Sequence, residues 1–106
     1  KVAQRRLKVA AMLLKENKKE AFYEEIERAA WTYLSDRLSV PTAQLSKENI
    51  AQILSSKGVA QELISQLLEV LANAEFARYA PTSDHAMQNI YDDITKIINQ
   101  LENNKL

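Results

Sequence analysis

Apolar residues recur at helical spacing in five stretches of the chain, and none of the five alternates in the way a half-buried strand would. The first stretch carries Ala3, Leu7, Ala10, Ala11 and Leu14 with Arg and Lys between them and runs to about Glu16, where Asn17 suits a left-handed stop. The second, from about Lys19 to Ser39, sets Phe22, Tyr23, Ile26, Ala30, Tyr33, Leu34 and Leu38 on a wide stripe that Trp31 broadens. Pro41 disfavours helix at Val40 and closes it.

The third stretch has the clearest local signals. Ser46 is a capping residue, Glu48 suits the positive first turn, and Leu45 before the cap is spaced to pack on Ile50. Ile50, Ile53 and Leu54 face inward, and Gly58 supplies a left-handed end. The fourth begins almost at once, with Ala60 in the cap position and Val59 spaced to meet Ile64. Leu63, Ile64, Leu67, Leu68, Leu71 and Ala74 form its main face, and Val70, Phe76 and Ala77 extend that face sideways. An arc so wide predicts a central helix. After Pro81, the run Thr82, Ser83, Asp84 offers caps for a fifth helix. Its narrow stripe is Met87, Ile90, Tyr91, Ile94, Ile97, Ile98 and Leu101, and the tail at Asn103, Asn104 and Lys105 is expected to fray. The pattern predicts one all-α domain over residues 1–106, a single compact bundle of about five helices, with connections at 17–20, 39–45, 57–60 and 80–84.

Composition agrees with that reading. One Gly and two Pro in 106 residues leave little material for sheet turns or long loops. No Cys means no disulfide framework and no thiolate chemistry. The start at Lys1 rather than Met points to a piece excised from a longer protein, and no stretch approaches the length of a membrane span. Net charge is zero but divided: residues 1 to 19 hold seven bases against Glu16, and the body carries the matching acidic excess. An acidic body argues against nucleic acid as a partner. The basic start, by contrast, suits either a solvated face or an anionic lipid surface.

Candidate chemistry is sparse. His85 has no Cys and no second His near it, so it reads as an exposed first-turn residue and not as a metal ligand. The pairs Glu24–Glu25 and Asp92–Asp93 are adjacent and diverge by about 100° on a helix, which suits a solvated face better than shared proton or metal chemistry. A single Gly excludes a glycine-rich phosphate loop, and no Ser has the His and acid that would activate it. No catalytic residue, cofactor or metal is expected.

The stretch EFARYAP at 75–81 invites two readings. Phe76 and Tyr79 are three apart and share a face, so they could plug a core while Arg78 points to solvent or to the terminal carbonyls. The structural reading is favoured. The alternative makes Arg78 and the Tyr79 hydroxyl contacts for a partner. Trp31 is likewise read as core in preference to an anchor.

Four stretches in order, AFYEEIERAAWTYLSDRL at 21–38, LSKENIAQIL at 45–54, GVAQELI at 58–64 and EFARYAP at 75–81, resemble the C-terminal helical domain of the BatD family of Bacteroides aerotolerance (oxygen tolerance) proteins. The resemblance runs from about Ala10 to Leu101; Ala60 departs from it, standing where family members often carry an acidic cap. It implies a membrane-anchored protein of stress tolerance, with this helical part on the cytoplasmic side of the inner membrane. By the same resemblance the protein would work with von Willebrand A-domain proteins and a MoxR-type AAA ATPase, and no catalytic residues are implied. Bases just inside a membrane helix fit such a layout, which makes Arg5, Arg6 and Lys8, within the basic start at 1–8, candidates to face anionic lipid. The expected function is a non-catalytic protein-interaction module. The competing expectation is a tetratricopeptide-like peptide-binding adaptor, with a concave groove lined by the first two helices.

Overall fold

Left-handed residues at three turns set the order of the helices. In this computed structural model, residues 2–79 and 84–103 are described, with side chains from Leu7 onward in the first helix and from Ala86 onward in the last. Helix α1 (Val2–Lys15) stops at Asn17, whose φ of 59° lets the Lys18 N–H reach the Leu13 carbonyl at 3.0 Å. Helix α2 (Lys19–Leu38) therefore returns along α1 as an antiparallel hairpin. It ends on Ser39 at φ 56°, two residues before Pro41, with the Val40 N–H on the Ser35 carbonyl and the Ser35 hydroxyl donating back to the Val40 carbonyl at 2.6 Å. A short 3-10 turn (Thr42–Gln44) follows, which no sequence signal announced.

Helix α3 (Lys47–Ser56) starts on the expected cap. Ser46 Oγ accepts from the Asn49 N–H, and Asn49 Oδ1 accepts from the Ser46 N–H at 2.8 Å, a closed capping box. Leu45 is partly buried against the core and Ile50 is fully covered. Gly58 at φ 87° ends α3, and the Val59 N–H bonds the Leu54 carbonyl. Helix α4 (Gln61–Tyr79) then begins with Ala60 in the cap position, its carbonyl accepting from Ile64 N–H at 3.1 Å. Val59 and Ile64 are both buried beside that turn. Helix α5 (Asp84–Glu102) completes the bundle. The 80–83 connection, with Pro81, Thr82 and Ser83, and the tail at Asn104 and Lys105 lie outside the described residues, as does any side-chain cap from Asp84.

Among the described residues there are five α-helices and no strand, so the chain is an all-α bundle. Its radius of gyration, 13.2 Å, is that of one compact domain of this length. Helix α2 is the hub, packed on α1, α4 and α5. Adjacent helix residues point about 100° apart, so the full burial of both Phe22 and Tyr23 requires neighbours on two sides of α2. They have them, and their rings also meet edge to face at 5.2 Å. Helix α4, expected at the centre, also touches three helices: α2, α3 and α5. Ile64 and Leu67 on α4 and Ile94 and Leu101 on α5 are fully buried, on helices that pack on each other and on α2. Each such side chain contributes roughly 1.5–3 kcal/mol by leaving water.

The inner face of the α1–α2 hairpin is covered by α4 and α5.

Candidate protein-interaction surface

On α4 the buried positions are Leu63, Ile64, Leu67, Val70, Leu71, Ala74 and Ala77. At about 100° per residue they occupy one side, and Phe76 falls nearly opposite their centre. The ring is accordingly 73% exposed, and Tyr79 is 79% exposed. The two rings do share a face, as their spacing required, but that face looks outward. The expectation that Phe76 plugs the core is therefore corrected: what read as a sideways extension of the apolar arc is a separate stripe. Leu68 (half-buried), Ala72, Phe76 and Tyr79 stand on it at intervals of four, four and three residues.

A shallow groove runs beside this stripe where α4 meets the start of α3, lined by Lys47, Ala72, Glu75, Phe76 and Tyr79. Its polar edge is the Lys47–Glu75 ion pair at 2.6 Å, with the carboxylate raising the lysine above its ordinary value mainly through that hydrogen bond.

Arg78 points neither to open solvent nor to the terminal carbonyls, where the structural reading had it. Its side chain is only 27% exposed and turns back to α2, with Nη2 2.8 Å from Glu24 Oε1 and Nη1 3.9 Å from Glu27 Oε2. The guanidinium carbon also lies 5.5 Å from the Tyr79 ring centroid. Arg78 therefore ties the end of α4 to α2 and lies against the neighbouring ring, and Tyr79 is the more exposed member of the pair. Glu27 is partly covered: its Oε1 is buried with no hydrogen-bond partner among the described residues. Burial pushes its carboxyl above the usual value of 4.5, against the pull of Arg78 and with the help of nearby Glu75.

The other candidates sort out by place. Trp31 is half-buried against the core. Glu24 is exposed, but Glu25 is buried, contrary to the expectation of a solvated pair. It lies one turn from both Phe22 and Ala29, shares their covered face, and meets Arg28 at 3.3 Å. Asp92 and Asp93 are exposed as expected. Lys8 is exposed on α1, near the exposed apolar pair Val9 and Met12. The side chains of Arg5, Arg6 and His85 lie outside the described ones. A second polar cluster joins α2 to the end of α5, where Arg37 pairs with Glu102 at 3.5 Å; there burial pushes the Tyr33 hydroxyl up to about 12. Among the described residues no cluster of His, Cys, Asp or Glu could hold a metal ion, and no helix is long and apolar enough to cross a membrane.

Among the described residues, only the Phe76–Tyr79 face combines large exposed rings with a groove. Its fixing residues escaped sequence reasoning because Arg78 and Glu24 are 54 positions apart and no local pattern links them. The chain matches no family model, no curated protein and no solved structure.

Proposed function

We propose that this chain is a non-catalytic protein-interaction module, and that the outward face of α4 is its docking surface. The observation that carries this reading is the exposure of Phe76 and Tyr79, side by side on a helix whose opposite face is locked into the core. Large rings left in water gain most by being covered, and aromatic residues are enriched where proteins meet. The rigid bundle beneath lowers the entropy lost on docking.

The resemblance of the ordered motifs to a BatD-type domain extends the proposal to a setting. The module would sit on the cytoplasmic side of the inner membrane, as part of a membrane-anchored stress-tolerance protein. Residues 1–8 would face anionic lipid, and the face of α4 would meet a von Willebrand A-domain protein or a MoxR-type ATPase. The test is capture from a bacterium that encodes this chain, using the immobilised wild-type domain and a folded Phe76→Ala/Tyr79→Ala variant. An A-domain protein or ATPase retained by the wild type and lost by the variant is the expected result. Equal retention by both would remove α4 as the docking surface.

A further inference from the structure

We propose that the partner element seated on α4 is a basic amphipathic helix; this rests on the reading of α4 as a docking surface and names the chemistry that fits it. The stripe from Leu68 to Tyr79 covers twelve residues, about 16 Å or three helical turns. Its apolar positions repeat every three or four residues, which is the pattern one helix offers another. The groove beside Phe76 widens this apolar strip with Ala72, and its α3 side is formed by Lys47.

Charge decides what kind of helix fits. Glu69 is exposed on the far flank of the stripe and Glu62 is exposed about 9 Å along the helix before the stripe begins; neither is within ion-pair distance of a base among the described residues. Glu75 borders the near flank, with Lys47 as its counter-ion. The one base on α4, Arg78, is drawn inward by Glu24 and Glu27 and so leaves the outward face. The rings are therefore framed by carboxylates with one lysine among them. That frame repels anionic lipid and nucleic acid, and it attracts a helix that brings apolar residues at the same spacing with Lys or Arg beside them.

Helix α1 of a second copy has a related character, with exposed Val9 and Met12 next to Lys8 and Lys15. Such a contact joins two different faces, however, and would propagate from copy to copy into a ring or an open filament. A helix from another protein has no such consequence, and it is the occupant assigned here.

The test uses the whole chain and two labelled 14-residue probes, an amphipathic Leu/Lys helix and its Leu/Glu counterpart, read by fluorescence anisotropy. Variants are first checked for unchanged circular dichroism. The Leu/Lys probe should bind at least about tenfold more tightly than the Leu/Glu probe, a charge discrimination of modest size. Phe76→Ala/Tyr79→Ala should weaken it by about tenfold or more, and Glu62→Lys/Glu69→Lys should reverse the preference. Equal binding of both probes at the aromatic face would overturn the basic partner and leave the docking surface standing. Leu/Lys binding that ignores loss of both rings would overturn the surface as well. Failure of both probes to bind would overturn the helical partner, with capture of a protein by the wild type alone still measuring the docking reading. Self-association that the Leu/Lys probe displaces and the ring variant abolishes would assign the face to a second copy instead.

Discussion

Arg78 Nη2 donates to Glu24 Oε1 at 2.8 Å, tying the last turn of α4 to the second turn of α2 across 54 residues of chain. The same side chain lies against the Tyr79 ring. Its job in this fold is to hold a helix end in place, and the ring beside it is held as a consequence. A partly exposed pair of this kind is screened by water, so its worth is small: Arg78→Met should cost about 0.2–1 kcal/mol. A double-mutant cycle with Glu24→Gln, read by denaturant melts, should show coupling of that size. A cycle that closes to zero would mean the pair adds nothing to the α2–α4 contact.

Phe76 separates two accounts of EFARYAP by stability alone. With its ring largely in water, Phe76→Ala should change stability by less than about 0.5 kcal/mol, the usual range for a surface site. Leu67→Ala, on the buried side of the same helix, should cost about 2–5 kcal/mol. A loss of core size at Phe76 would return the ring to the interior and remove the docking surface with it.

Local chemistry was what the sequence made readable. Asn17 and Gly58 were placed in left-handed turns because few other residues favour that conformation, and both adopt it. Ser46 was legible as a cap for the same kind of reason, whereas its reciprocal partner Asn49 was not singled out, since Glu48 drew attention for its charge. The narrow stripe of α5 also emerged intact, because only one side of that helix is apolar. On α4 the periodicity misled. Its apolar residues reach nearly all the way round, and spacing alone cannot say which side turns inward when both could. That choice is made by α2 and α5, which cover Leu67 and Ala74 and leave Phe76 outside. Ser39 illustrates a second limit: a non-glycine left-handed residue is imposed by hydrogen bonds to Ser35, and Pro41 is the only nearby signal.

Ala60 offers a gain in stability. It is exposed in the cap position of α4, and its methyl group has no oxygen to accept from the free amides of the first turn. Ala60→Asp supplies that acceptor and places a negative charge at the positive end of the helix. The expected increase is roughly 0.5–2 kcal/mol. Glu62 opposes it weakly, because both groups stand in water. Denaturant melts at pH 7 check the claim, and an unchanged or lower midpoint would count against an open cap at this position.

Glu27 should give the bundle a distinctive response to pH. Its carboxyl titrates above the ordinary 4.5 in the folded chain, chiefly because burial disfavours the ionised form. The folded state therefore holds this proton more tightly than the unfolded state does, and stability falls as pH rises through the interval between 4.5 and the raised value. Below 4.5 both states are protonated at this site and the burial carries no electrostatic cost; above the raised value the full cost is present. Glu27→Gln keeps the shape and removes the titration. The stability of wild type minus that of Glu27→Gln should therefore decline as pH rises above the ordinary 4.5, which separates this group from the other carboxylates. At pH 7 the variant should equal or exceed wild type, by less than about 1 kcal/mol, since the site remains partly open to solvent and Arg78 offsets some of the cost. A difference that instead grows with pH would show that the Arg78 contact outweighs burial, and that Glu27 is a stabilising member of the α2–α4 junction.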